Sequence, residues 1–157
     1  MLLAAGLCQN PAMPDFSSQE ILAWTAVALW CKAAALSLAQ VVIRVRSRRY
    51  ARSEDARMMG YAPAQEDVRV ERLALAWRNE TEATPAFVAL AIAYVLGGGA
   101  AFPMSVVCTA FVAGRFWHGW AQFGLKQPDR TIAFLIGFAA SMAMAALVLH
   151  NAIGRLI

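Results

Sequence analysis

TIAFLIGFAASMAMAALVLHNAI, Thr131 to Ile153, contains no Asp, Glu, Lys or Arg. A bilayer core about 30 Å thick requires roughly 20 predominantly apolar residues of helix, and this stretch is long enough. Three others read alike: Ile21 to Ile43, Met104 to Leu125, and Ala83 to Phe102, the last being the apolar part of a helical pattern that begins near Arg72. In a chain of 157 residues, 60% hydrophobic with a mean hydropathy of +0.51, that much apolar length exceeds what one soluble core can hide. The expected fold is therefore an all-α membrane protein, a bundle of four transmembrane helices making one domain over residues 1–157. Only Arg44 to Val70 is long and polar enough to stand outside the bilayer.

The cations set the expected orientation. Arg44, Arg46, Arg48, Arg49, Arg52, Arg57, Arg69 and Arg72 crowd the first connection, Lys126 and Arg130 the third, and Gly97-Gly98-Gly99 carries none. Connections one and three are then cytoplasmic and both termini face away, in the inner membrane if the cell is bacterial. Met1 to Asp15 has no Lys or Arg, so no cleavable signal is expected. The net charge of +4 does not point to nucleic acid, because the arginines alternate with Glu54, Asp55, Glu66 and Asp67 rather than with aromatics. They read as a topogenic, lipid-facing collar. Cys8, Cys31 and Cys108 stand singly, without disulfide or zinc spacing. Pro63, Pro103 and Pro128 fall at expected turns, whereas Pro85 lies inside a span, where it kinks the helix or frees a carbonyl. Small residues from Gly137 to Ala146 allow close helix approach.

The informative residues are polar ones at depth, since a charge there costs about 2.5–3.5 kcal/mol even on insertion scales. Arg78, Asn79 and Glu82 have helical spacing and are expected on one face. Arg115, His118 and Gln122 form a second polar stripe at a similar depth, Arg115 lying roughly 15 Å from the end of its helix at about 1.5 Å per residue. Lys32 is a further buried cation that requires an anion. One reading has Lys32, Arg78, Glu82 and Arg115 neutralising one another as interhelical bridges. The other uses their surplus hydrogen-bonding capacity for an anionic ligand arriving from the basic collar. No metal site is expected, since His118 and His150 lie toward opposite membrane faces. No Ser or Cys of the spans is paired with His at helical spacing, which argues against such a nucleophile, and proton carriage by Glu82 and His118 is an alternative use of the cluster.

At these same residues the chain resembles the MAPEG family, the membrane-associated proteins in eicosanoid and glutathione metabolism, near its microsomal glutathione S-transferase and prostaglandin E synthase members. The likeness rests on Ser53-Glu54-Asp55-Ala56, Val70-Glu71-Arg72 continuing to Arg78-Asn79-Glu80-Thr81-Glu82, Gly114-Arg115-Phe116-Trp117-His118 and Gln127-Pro128-Asp129-Arg130-Thr131, in that order. It implies a homotrimer binding glutathione between subunits at the cytoplasmic side. Arg44, Arg78, Asn79, Glu82, Arg115, His118, Arg130 and Thr131 match glutathione-contacting or supporting positions, Gln122 stands at a further site position where many members have tyrosine, Asp55 matches an aspartate of the synthase chemistry, and Lys32 matches a family lysine. The chain also departs from the pattern at Leu75, Trp77 and Phe134. The implied function is a membrane glutathione transferase, extending to peroxidase activity, in which Arg130 stabilises the thiolate and a lipophilic electrophile enters from the bilayer. The alternatives are a glutathione-dependent isomerase of lipid endoperoxides and a non-catalytic lipid-binding scaffold.

Overall fold

The structure, a computed structural model, describes residues 16–124 and 126–156. Both the reading of Met1 to Asp15 and the expected end of the third span at Leu125 lie outside the described residues. The described residues form five helices: α1 (Ser18–Ser47), α2 (Ser53–Met58), α3 (Val68–Leu96), α4 (Ala101–Gly124) and α5 (Asp129–Ile153). Of these, α1 and α5 are long and apolar enough to cross a membrane. α3 and α4 pack against each other and against both α1 and α5, while α1 and α5 lie across the bundle without touching.

Local chemistry fixes the helix ends. Ser17 and Glu20 form a reciprocal capping box at the start of α1, the Ser17 hydroxyl accepting from the Glu20 N–H and Glu20 accepting from the Ser17 N–H. Asp67 caps α3 by accepting from the Arg69 N–H at 2.9 Å. α3 ends at Leu96 rather than at Phe102, because the glycines turn the chain: Gly98 takes φ +65°, and a Cβ on Gly99 would fall 2.3 Å from the Tyr94 ring. Phe102 and Pro103 therefore belong to the first turn of α4, where an N–H has no intrahelical acceptor and proline costs nothing. Pro85 does not interrupt α3, although its missing N–H leaves the Thr81 carbonyl without its usual partner one turn on.

Large side chains point outward as well as inward. Trp24, Trp30, Phe102 and Trp120 are all more than two-thirds exposed, an arrangement suited to a hydrocarbon solvent. Inside, Leu29, Phe87, Met104, Cys108, Phe111 and Met144 form one apolar layer, with Phe87 and Phe111 stacked. Leu36, Leu73 and Ala76 form a second. α4 and α5 approach closely at Gly114, where a Cβ would come within 3.0 Å of the Gly137 nitrogen.

Candidate functional site

Between the two apolar layers lies a polar one. On α1, Lys32 sits between Leu29 and Leu36, and on α3 Glu80 sits between Ala76 and Phe87. Glu80 is 2% exposed and its Oε1 accepts from both the Lys32 ammonium and Arg115 Nη2, the latter at 2.8 Å. Lys32 also donates to the Arg115 carbonyl, and Arg115 Nη2 donates to the Asn79 carbonyl at 2.8 Å. Gly119 makes room for this contact, since a Cβ there would stand 3.2 Å from Lys32 Cε.

A line of polar groups leads outward from this layer. With the Asn79 amide oriented to satisfy its neighbours, Oδ1 accepts from Arg115 Nη1 at 3.3 Å and from His118 Nδ1–H at 2.9 Å, which leaves His118 Nε2 as an acceptor. One turn further along α4, the Gln122 carbonyl oxygen accepts from Arg130 Nη1 at 3.4 Å. The Gln127 amide, oriented likewise, accepts from Arg130 Nη2 at 2.9 Å and donates to Thr131 Oγ1 at 3.2 Å. Burial falls along the line: Arg115 and His118 are buried, Gln122 is half-buried, and Arg130 and Thr131 are exposed.

Lys32 and Arg115 share one carboxylate, so the buried layer sets two basic side chains against one acid. Arg115 Nε is also buried without a hydrogen-bond partner. A layer that only neutralised itself would leave neither. Both features fit an anionic group with several acceptors, such as a carboxylate. Among the described residues, no three His, Cys, Asp or Glu side chains converge to hold a metal.

The structure distributes the expected site residues unevenly. Asn79, Arg115, His118, Gln122, Arg130 and Thr131 lie on the line just described. Glu82 does not: its carboxylate accepts from Arg78 Nε at 3.0 Å on the outer face of α3, with the two side chains 62% and 75% exposed. The interhelical anion is Glu80 instead. Buried positions on α3 run Leu73, Ala76, Glu80, Phe87, Ala91 and Tyr94, at the three-, four- and seven-residue steps of one helix face. Glu82 is two residues, about 200°, off that stripe. Arg44 forks onto Glu66 at 3.1–3.3 Å and so ties the end of α1 to the chain entering α3. Asp55 is half-buried on α2. Among the described residues no hydrogen bond joins Arg44 or Asp55 to the polar line.

The sequence pattern of the MAPEG family matches residues 22–150. Microsomal glutathione S-transferase 1 of Rattus norvegicus is 27% identical over 142 residues, covering 85% of this chain and 92% of that protein. Prostaglandin E synthase of Equus caballus is 30% identical over 148 residues, 93% of each chain, and that of Homo sapiens 30% over 145 residues, 91% of each. A family pattern spanning both the buried polar layer and the Arg130 end of the line, with relatives of that identity along nearly the whole chain, shows that this protein belongs to the MAPEG family.

Proposed function

We propose that this membrane protein is a glutathione transferase that activates the glutathione thiol at the Arg130 end of the polar line. The observation that most supports this reading is the buried layer in which Lys32 and Arg115 face one carboxylate, with His118 and Gln122 at successive turns of α4 between it and the exposed Arg130 guanidinium. Glutathione brings two carboxylates, an amine and a nucleophilic sulfur. Arg115 and the Asn79 amide offer donors to a carboxylate, and His118 Nε2 offers an acceptor to an N–H. Arg130 favours the charged form of a sulfur held beside it, lowering that thiol's pKa, and Thr131 can donate to the same atom. The second substrate is a lipophilic electrophile or hydroperoxide drawn from the bilayer.

In this reading all four long helices span the membrane, with the arginine-rich connection cytoplasmic. Three copies assemble. An Arg78–Glu82 pair on an outer helix face is costly against lipid, and a neighbouring copy laid over it would remove that cost and bring both side chains to the shared site. Isomerisation of a lipid endoperoxide is the second reading, favoured by the 30% identity to prostaglandin E synthase. Phe134, which offers no hydroxyl near the start of α5, tells against it.

The deciding experiment is glutathione titration by calorimetry on detergent-purified protein, paired with conjugation of an aryl halide. Saturable binding with turnover supports the transferase. Binding without conjugation points to the isomerase, and a folded protein that does neither is the lipid-binding scaffold.

A further inference from the structure

The connection between α1 and α3 holds charge that the polar line does not use. Arg44 and Arg69 are paired with Glu66 and Asp67 at 3.1 and 3.0 Å. Arg46, Arg49, Arg52 and Arg57 are exposed and, among the described residues, bridge no carboxylate. These free cations are held by a connection packed upon itself. Arg48 closes α1 in the left-handed region at φ 54°, and its guanidinium lies 5.9 Å from the Tyr61 ring centroid. Tyr61 stacks on buried Tyr50 at 6.0 Å, and the Ala64 N–H donates to the Tyr50 carbonyl at 2.9 Å.

Position says what these cations meet. Leu38, Val42 and Arg46 follow one another at four-residue steps on the outer face of α1, so an exposed apolar row ends in a guanidinium. Exposed Val41 and Val45 lead in the same way to the turn that carries Arg49. In a helix apolar enough to cross a bilayer, such rows contact acyl chains, and the charge at their end emerges among headgroups. We propose that Arg46 and Arg49 form a docking surface for anionic phospholipid headgroups, whose phosphodiester oxygens accept from the guanidinia. The surface rests on α1 crossing the membrane and not on glutathione chemistry.

The test uses the full-length protein in mixed phosphatidylcholine and phosphatidylglycerol bilayers, with spin-labelled lipids reporting the motionally restricted fraction. Phosphatidylglycerol should be retained over phosphatidylcholine, and R46Q/R49Q should lose that preference. High salt should erase it in the unaltered protein, a readout independent of how the variant folds. Equal retention of both lipids by the unaltered protein would overturn the proposal. So would a salt-insensitive preference, a folded double variant that keeps the preference, or displacement of the labelled lipid by soluble glycerol 1-phosphate, which would mark a free-phosphate site.

Discussion

Glu80→Gln removes what is, among the described residues, the only carboxylate in a layer holding two cations. Glu80 Oε1 accepts from Lys32 and from Arg115, and all three side chains are less than a tenth exposed. Glutamine keeps one acceptor oxygen, so the hydrogen bonds can persist while the charge compensation is lost. Breaking a buried pair from one side costs about 3–5 kcal/mol, and the retained acceptor places this change near the lower end. At about 3 kcal/mol, a domain of this size should melt roughly 6–12 °C lower. Glu82→Gln, two residues away, breaks an i,i+4 pair on the outer face of α3, leaves the buried layer's charge balance untouched and should cost clearly less than Glu80→Gln. Adding Lys32→Met to Glu80→Gln removes one of the two stranded cations and should recover part of the loss, a coupling that a double-mutant cycle reads directly. Thermal unfolding in detergent, followed by light scattering, compares these three variants and Lys32→Met alone with the unaltered protein. The reasoning fails if Glu80→Gln lies within about 1 kcal/mol of the unaltered protein, inside the range of ordinary substitutions, or if Glu82→Gln is equally damaging.

Gly114→Ala should destabilise by about 1–3 kcal/mol, because its Cβ would meet the Gly137 backbone at 3.0 Å, an overpacked contact. Gly137→Ala should be far milder, since its nearest contact is the Arg115 side chain at 3.5 Å, and comparing the two melting temperatures checks this. Asp67 should titrate at about 2, held down first by its hydrogen bond from the Arg69 side chain and then by the Arg69 N–H. A depressed carboxyl pKa contributes stability in full above its ordinary value of 3.8 and loses it as pH falls from there toward about 2. Asp67→Asn should therefore flatten the melting temperature across that window, and carboxyl-carbon NMR should find the low pKa directly.

The long helices were legible because lipid imposes a simple rule: an apolar run long enough to span is a helix. Their ends were less so. Proline and glycine announced a turn near residues 97–103, but only the Gly98 backbone and the Tyr94 ring decide that Phe102 and Pro103 belong to the following helix. The buried layer was half legible. Lys32, Asn79, Arg115 and His118 stand out as polar groups at depth, whereas helical spacing to Arg78 points to Glu82, which belongs to a surface pair, and not to Glu80. The signal for Glu80 was its place on the apolar stripe with Leu73, Ala76 and Phe87. The Arg44–Glu66 fork depends on how the connection that carries α2 folds back, and no periodicity encodes that. Resemblance carried Arg130 and Thr131, whose contacts with Gln122 and Gln127 are the most exposed part of the line.

Ultraviolet difference absorption of the bound thiolate, with glutathione titrated onto detergent-purified protein near neutral pH, measures binding and activation together. A free thiol with a pKa of about 8.5 is mostly protonated there, so a saturable thiolate band can only come from a site that favours the anion. The account predicts that band in the unaltered protein, and predicts that Arg130→Ala raises the bound thiol's pKa toward the free value while the melting temperature changes little. A folded protein that shows no thiolate band, or one whose band titrates identically with and without Arg130, would contradict it.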